Sequence, residues 1–192
     1  MKKIVTTAPG KSHLVETDMV QPGDSHDVIV KLKYCGVCMS EHYDWAHTEK
    51  EVSFGHEPIG VVYAVGEQVT RVQVGDRVSG PFGGWSEYSC TNENNLIRIP
   101  DNVRDEEAVI EPLGCLYSAV SKVRIPVLGD RVAVVGCGYM GCGAISLLKK
   151  RGAYVVAFDI RRECLEAARK YGADEAYTPD EWLKNNDGSL AS

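Results

Sequence analysis

VAVVGCGYMG, residues 132–141, is an apolar run that leads directly into a glycine-rich turn. The run has the composition of a strand buried on both faces, as in a parallel sheet. A second apolar run, 154–158, ends at Asp159, and each run is followed by a helical pattern that stops at a glycine, Gly152 or Gly172. This order predicts a βαβα unit built on a parallel sheet.

The glycine turn has the GxGxxG pattern of dinucleotide-binding loops in its full context, after a strand and at the start of a helix. We expect Gly136 to permit the tight turn, Gly138 to let a pyrophosphate approach the backbone, and Gly141 to let the helix pack on the strand. Tyr139 and Met140 then open the helix whose amino terminus would receive the phosphates.

Asp159 follows the loop at close to the spacing of about 20 residues expected for the acid that binds the adenosine ribose. A carboxylate there repels a 2′-phosphate, so the sequence favours NAD over NADP. Arg161 and Arg162 lie close enough to weaken that preference, because guanidinium is the usual partner of a 2′-phosphate. The predicted cofactor-binding residues are Gly136, Gly138, Tyr139, Met140, Gly141, Asp159 and Arg161.

The first hundred residues have a different pattern, with short runs rich in Val and Ile between turn residues. They predict strands at 2–7, 27–34, 59–66, 76–80, 86–91 and 96–99. Their close spacing favours a small barrel or sandwich. After Pro112, apolar residues at helical spacing predict a connecting helix. We therefore expect one domain at 1–124, including this helix, and a nucleotide-binding domain at 125–192.

Composition excludes several classes of protein. The 192 residues carry a formal net charge of −6, which gives no basic surface for nucleic acid or an anionic membrane. No apolar run approaches the roughly 20 residues of a membrane helix, and the amino terminus lacks the apolar region of a signal peptide. Seven unevenly spaced cysteines fit reduced thiols better than a disulfide framework. We expect a cytoplasmic location.

Two segments of the first half carry metal-binding residue types, CGVCMSE at 35–41 and FGHEP at 54–58. The CxxC alone is typical of half a structural zinc knuckle, but the other close cysteine pair, Cys137 and Cys142, lies in the glycine motif. A catalytic zinc instead needs three protein ligands and an open position, and such ligands can be far apart in sequence.

With these segments in view, the chain resembles the amino-terminal part of the zinc-dependent medium-chain alcohol dehydrogenases. It is more similar to their sorbitol, polyol and threonine dehydrogenase branch than to the ethanol branch. The matching segments, in family order, are 38–41, 55–57, 74–78, 83–88, 111–113 and the glycine loop. The resemblance implies an α/β protein with a β-rich part, in which a GroES-like catalytic domain precedes a partial Rossmann domain, a doubly wound parallel sheet.

The resemblance also implies a zinc site. Cys38, rather than its neighbour Cys35, matches the thiolate ligand, and His56 matches the imidazole ligand. Glu111 falls where the family places its third ligand, a carboxylate in the polyol branch. Glu57 matches an adjacent carboxylate that can bind zinc directly or through water. Whether Glu57 or Glu111 completes the zinc shell stays open.

The same resemblance assigns the catalytic candidates. Ser40 matches the hydroxyl that takes the substrate proton, and Glu41 stands where relatives have an aspartate that orients the ligand histidine. Tyr43 occupies the place of a relay histidine, and His42 lies one position early, so His42 or solvent could replace it. Only four residues, 79–82, stand where many relatives carry a four-cysteine lobe, which implies one catalytic zinc and no structural zinc.

The function expected is an NAD-dependent oxidation of a secondary alcohol, a polyol, sugar or amino alcohol, by a homo-oligomer, either a dimer or a tetramer. The alternatives are a zinc-independent quinone or enone reductase of the same fold and a non-catalytic GroES-like fragment. Residues 131–192 hold about two βα units, whereas a full dinucleotide fold needs two βαβαβ halves. We therefore expect a chain truncated at its carboxyl end, a fragment of a longer enzyme rather than a natural truncation.

Overall fold

The structure, a computed structural model, describes residues 1–125 and 127–186. The chain divides into two compact units, Met1–Glu111 and Pro112–Ser192. The elements of the first unit are β1 (Lys2–Ala8), β2 (Lys11–Glu16), β3 (Asp27–Cys35), α1 (Met39–His47), β4 (Pro58–Val65), β5 (Arg77–Ser79), β6 (Tyr88–Asn92) and β7 (Ile97–Arg98).

The first unit is built on a five-stranded antiparallel sheet in the order β6-β3-β4-β5-β7, beside the β1-β2 hairpin. β3 and β4 lie next to one another inside this sheet, and Val28, Val30, Val62 and Val78 fill the core against it. The burial of each of these side chains stabilises the folded state by about 1.5–3 kcal/mol. The end of β3 and the start of β4 are therefore held firmly. The candidate metal-binding segment 35–41 begins at the first point, and the segment 54–58 ends at the second.

Every strand segment predicted for this half overlaps an observed strand, so the β-rich first domain is confirmed. The sequence missed β2, most of whose residues are exposed and show no apolar alternation. It also missed α1, which carries much of the candidate site.

The second unit is a three-stranded parallel sheet in the order β10-β9-β8, covered by helices. Its elements are α2 (Glu111–Ser121), β8 (Arg131–Val135), α3 (Tyr139–Lys150), β9 (Tyr154–Phe158), α4 (Arg162–Lys170), β10 (Glu175–Tyr177) and α5 (Pro179–Asn186). The fully buried Ile145 of α3 and Val155 of β9 lie in one core cluster. The predicted βαβα unit and its parallel sheet are confirmed. The prediction that β8 is buried on both faces is wrong for the described residues: Ala133 and Val135 are exposed, because β8 is an edge strand and only its Val132 and Val134 face packs against the core cluster.

The division between the units comes at Glu111, whereas the sequence placed the connecting helix with the first domain and its boundary after residue 124. The physical reason is the packing of α2. Val120 belongs to the core cluster of the second unit, and Val123 and Ile125 pack against the same cluster.

Among the described residues, no helix is long and apolar enough to cross a bilayer.

Candidate active site

Cys38 lies at the amino terminus of α1, where the chain leaves β3. Its backbone is extended, with φ −87° and ψ 135°, and its sulfur accepts a hydrogen bond from the Ser40 hydroxyl at 3.2 Å. The turn before it depends on Gly36, whose N–H donates to the Glu57 carbonyl at 3.0 Å. A Cβ atom on Gly36 would overlap the Glu57 carboxylate. The loop between Cys35 and Cys38 therefore packs against the segment 54–58 through Glu57.

His56 is held by a carboxylate from α1. Its Nδ1 lies 2.8 Å from Oε1 of Glu41, which also accepts the N–H of Gly55 at 2.7 Å. An ionised carboxylate only accepts, so Nδ1 carries the hydrogen and Nε2 remains for a ligand. Burial lowers the pKa of His56, but the hydrogen bond and charge of Glu41, together with Cys38 and Glu111, raise it, and the net shift is upward.

Gly55 allows this turn because its φ of +100° lies in the left-handed region. A Cβ atom there would also meet the Trp85 backbone nitrogen at 2.7 Å. Trp85 in turn packs edge-on against Phe54, with ring centroids 5.9 Å apart. Trp85, in the loop before β6, therefore packs against the turn that leads into His56, a contact that the sequence did not predict.

Cys38, His56 and Glu57 form one cluster. Each offers a ligand atom, and these atoms lie within 4.8 Å of one another. Glu57 is buried, which raises the pKa of its carboxyl, and the charge of Glu111 raises it further. Glu111 lies close enough to raise the pKa of His56 too, but the cluster found among the described residues does not include it.

Cys35, the first cysteine of the motif, lies outside this cluster. Burial raises the pKa of the Cys35 thiol to about 11, and its S–H donates to the Gly36 carbonyl at 3.3 Å. A Cβ atom on Gly84 would overlap the Cys35 sulfur. Cys35 is thus packed as a neutral thiol, which agrees with the expectation that Cys38 is the cysteine of the site.

The donor set fits a divalent cation such as zinc. Thiolate, imidazole and carboxylate are the ligands that zinc prefers. This region holds one imidazole, that of His56, and three carboxylates, those of Glu41, Glu57 and Glu111. Oε2 of Glu41 is buried without a hydrogen-bond partner among the described residues. Buried negative charge of this kind is costly unless a cation balances it.

The remaining catalytic candidates lie on α1. Ser40 reaches the cluster through Cys38, whereas the ring of His42 lies 5.7 Å from that of Trp45. The exposed ring of Tyr43 stacks on His47, with centroids 4.3 Å apart. The sequence analysis did not predict the contact between Tyr43 and His47, although residues four positions apart are neighbours on a helix.

The glycine loop of the second unit has the predicted form. Gly136 has φ +90°, and its N–H donates to the Phe158 carbonyl at 2.8 Å. A Cβ atom on Gly141 would overlap the Gly136 carbonyl oxygen, whereas one on Gly138 would meet nothing within 4 Å. Space at Gly138, the residue before α3, is what an approaching phosphate requires.

Asp159 is buried and connects the loop to the end of β9. One carboxylate oxygen accepts the Cys137 N–H at 2.8 Å, and the other accepts the backbone N–H of Arg161 at 2.9 Å. The hydrogen bond from the Arg161 N–H, followed by the one from the Cys137 N–H, holds the pKa of Asp159 at about 2. The Arg161 side chain also contacts the carboxylate, at 3.3 Å. Tyr139 and Met140 are both exposed at the start of α3.

Two family models match the chain. Residues 24–101 match the alcohol dehydrogenase GroES-like domain, and residues 131–184 match the 3-hydroxyacyl-CoA dehydrogenase NAD-binding domain. Alcohol dehydrogenase of Geobacillus stearothermophilus is 32% identical over 85% of this chain and 61% of its own length. Sorbitol dehydrogenase of Halalkalibacterium halodurans is 30% identical over 94% of this chain and 63% of its own.

Solved structures are similar over nearly the whole chain. An alcohol dehydrogenase of Escherichia coli CFT073 in complex with NADH has a TM-score of 0.84 and 28% identity, covering 96% of this chain and 66% of that one. For 2R,3R-butanediol dehydrogenase of Bacillus subtilis the TM-score is 0.82 and the identity is 25%. The match covers 98% of this chain and 68% of that one. The chain spans 61% and 63% of the lengths of the two curated relatives named above.

Proposed function

Since this chain belongs to the zinc-dependent medium-chain alcohol dehydrogenase family, we propose that it serves an NAD-dependent oxidation of a secondary alcohol at one catalytic zinc. The observation that carries the proposal is the convergence of Cys38, His56 and Glu57 on one point. Three ligands leave a fourth position for substrate or water, as a catalytic zinc requires.

Cys38, His56 and Glu57 would hold the metal, with Glu57 rather than Glu111 as the nearer carboxylate. A zinc ion bound there would act as a Lewis acid toward the alcohol oxygen. Glu41 orients His56 by accepting its Nδ1–H, and such outer hydrogen bonds tune a metal ligand. Ser40, whose hydroxyl donates to the Cys38 sulfur, would accept the proton of the substrate hydroxyl.

The second unit would bind NAD through the residues predicted for it. The backbone N–H groups at the start of α3 have no side-chain cap from Gly138, so they can donate to the pyrophosphate. Asp159 is held ionised and offers its remaining lone pairs to the ribose hydroxyls, and Tyr139 and Met140 flank the loop. Arg161, half of whose side chain is exposed, could instead meet a 2′-phosphate.

The substrate class proposed is a polyol, sugar or amino alcohol. Relatives at 28–30% identity include sorbitol dehydrogenase, D-xylulose reductases and L-threonine 3-dehydrogenase. Glu111 adds a carboxylate beside the cluster, which suits a substrate rich in hydroxyl or amino groups. We also propose a cytoplasmic homo-oligomer, a dimer or a tetramer, with no structural zinc.

A zinc-independent quinone reductase is the second candidate, because a quinone oxidoreductase of Pseudomonas syringae has a TM-score of 0.81 and 26% identity. The metal-binding cluster argues against it, since such a reductase needs no convergent thiol, imidazole and carboxylate. A GroES-like fragment without catalytic function is the third candidate, and failure of the purified chain to bind NAD would favour it.

The test is zinc content by elemental analysis together with dinucleotide binding on the same purified protein. Cys38→Ser should lose the bound zinc, whereas Cys35→Ser, the matched control, should keep about one equivalent, because Cys35 lies outside the cluster. Zinc retained in Cys38→Ser would contradict the ligand assignment. A zinc-free wild type that still reduces quinones would favour the second candidate.

A further inference from the structure

The second unit holds three cysteines around its glycine loop. Cys137 lies within the loop, Cys142 lies near the start of α3, and Cys164 lies near the start of α4. The Cys142 thiol donates to the Cys137 carbonyl at 3.3 Å, and the Cys137 thiol donates to the Phe158 carbonyl at 3.4 Å. These thiols have no part in the metal site or in the NAD contacts proposed above, so their function is open.

The helix faces that carry Cys142 and Cys164 pack against each other. Cys142 and Ile145 lie three residues apart and share one face of α3. Cys164 and Ala168 lie four residues apart and share one face of α4. Ile145 and Ala168 are both fully buried in one core cluster, where α3 contacts α4. Because both helices follow strands of the same parallel sheet, they run in the same direction, and Cys142 and Cys164 lie between their first turns.

Electrostatic interactions connect the three thiols. Burial raises the pKa of Cys142, and the charge of Cys164 raises it further, followed by that of Asp159. Burial also raises the pKa of Cys137 to about 11, with further contributions from Asp159, Cys142 and then Cys164. Cys164 thus acts on both buried thiols, and Cys142 is the one that lies on the face of α3 that meets α4.

Cys164 is the thiol suited to react with an oxidant. It is partly exposed, whereas Cys137 and Cys142 are buried. It is the third residue of α4, where the partial positive charge of a helix amino terminus stabilises a thiolate. The pKa of the Arg161 guanidinium is raised by its hydrogen bond to Asp159 and then by the charge of Cys164, so a cation also lies near this thiol.

We propose that Cys164 and Cys142 form a reversible disulfide when the protein meets a hydroperoxide. The Cys164 thiolate attacks one oxygen of the O–O bond and becomes a sulfenic acid, and the other oxygen leaves with a proton as water or an alcohol. The Cys142 sulfur then displaces the sulfenic hydroxide, which takes the Cys142 proton and leaves as water. The two thiols lose two electrons, and the peroxide gains them. Excess thiol reductant reverses the bond in two exchange steps.

The disulfide would weaken NAD binding, a consequence that rests on the proposed function. It fixes the spacing between the first turns of α3 and α4, because its two Cα atoms must lie about 4.4–6.8 Å apart. Cys142 also loses its S–H, and with it the hydrogen bond to the Cys137 carbonyl in the glycine loop. Asp159 is tied to the start of α4 through the Arg161 N–H at 2.9 Å. Closure therefore changes both parts of the NAD site, the loop and the carboxylate.

The first test is a peptide map of the full chain, and it depends on neither zinc nor NAD. Reduced protein treated with hydrogen peroxide and digested without reductant should contain a cross-link between Cys142 and Cys164 that dithiothreitol removes. The cross-link should persist in Cys115→Ser, which removes an exposed thiol of α2. In Cys142→Ser, dimedone should trap the sulfenic acid on Cys164. A wild type without the cross-link, or with Cys164 joined to Cys137 instead, would overturn the inference.

The second test is calorimetric titration with NAD before and after peroxide. Peroxide should raise the Kd of the wild type about tenfold, a size typical of coupling between sites, and dithiothreitol should restore it. Cys164→Ser should keep its Kd within about twofold after the same treatment. Because this variant retains Cys38, loss of NAD binding in it would show that another oxidation is responsible and would overturn the regulatory role. A reduced wild type that binds no NAD would reject the proposed function, whereas the peptide map decides the disulfide by itself.

Discussion

Gly138 and Gly141 are three residues apart in one loop, yet an added methyl group should have different effects at the two positions. At Gly141 it would overlap the Gly136 carbonyl, and overpacking of this kind costs about 1–3 kcal/mol. At Gly138 it would meet no described residue within 4 Å, and on the proposed function it would enter the space expected for a phosphate. The two glycines therefore separate folding from binding.

Gly138→Ala should leave the melting temperature unchanged and weaken NAD binding about tenfold or more, because a steric cost above about 1.4 kcal/mol gives that ratio. Gly141→Ala should lower the melting temperature. Calorimetric unfolding and titration of both variants would measure this. Equal losses of stability in the two variants would mean that Gly138 is a structural residue.

Asp159 should decide the choice of dinucleotide. Asp159→Ala is expected to weaken NAD binding and to reduce the discrimination against NADP, because the 2′-phosphate would no longer meet a carboxylate and Arg161 would be released from its ion pair. The Kd values for both dinucleotides, with Arg161→Ala as the companion variant, would test this. Unchanged selectivity in Asp159→Ala would contradict the role.

Glu93 gives a prediction about acid stability in the first unit. This buried carboxylate accepts hydrogen bonds from the backbone of Thr70, from His26 and from the backbone of Arg71, and these contacts hold its pKa at about 2. A depressed carboxyl pKa adds stability above the unfolded value of about 4.3, and that stability disappears as the pH falls toward 2.

Glu93→Gln should therefore unfold more easily at pH 6 and lose less stability between pH 5 and pH 2 than the wild type does. The hydrogen bond to Glu93 also raises the pKa of His26, so that part of the stabilisation declines as the pH rises above about 6.5. Urea unfolding across this range measures both effects. The exposed Glu49→Gln is the control, and a wild-type-like acid limb in Glu93→Gln would be evidence against the assignment.

At the scale of elements, α1 is the helix that could not be predicted from the sequence. The glycine loop and Asp159 were predicted from residues alone, because their geometry is local and only a few residue types satisfy it. The segment MSEHYDWAH of α1 shows no apolar stripe, so its helix was missed, and its only buried residue is Glu41. The metal residues came from family resemblance, since no local rule brings Cys38 to His56.

The packing of α2 on α3 also yields a prediction. A Cβ atom on Gly143 would overlap the buried side chain of Leu116, so Gly143→Ala alone should destabilise the second unit. Leu116→Ala should cost about 2–5 kcal/mol. In the double variant the overlap is gone, and Ala is preferred over Gly in a helix by about 1 kcal/mol.

Leu116→Ala/Gly143→Ala should therefore be more stable than Leu116→Ala alone. Chemical unfolding of the two single variants and the double variant would give the coupling energy. Strictly additive losses would show that the two helices do not meet at this point.

At the scale of the whole molecule, the two ligands proposed here should protect different parts of the chain. Zinc should slow amide exchange at 35–57, because its ligands lie there, and NAD should slow exchange at 131–161, around the loop and Asp159. Exchange of the full chain with each ligand alone would test this. Zinc-dependent protection confined to 131–161 would contradict the metal assignment.

The strand order of the first unit has a consequence for how the chain folds. β3 pairs with β4 through Lys31 and Val61, but with β6 through Val28 and Thr91, so the second pairing closes about twice as much chain. Doubling a closed loop costs about 0.6 kcal/mol more in chain entropy. The β3-β4 ribbon should thus form first, and the arrival of β6 should set the pace of refolding. The loop that brings Trp85 against Gly55 leads directly into β6, so the surroundings of the Cys38, His56 and Glu57 cluster are completed only at that late step.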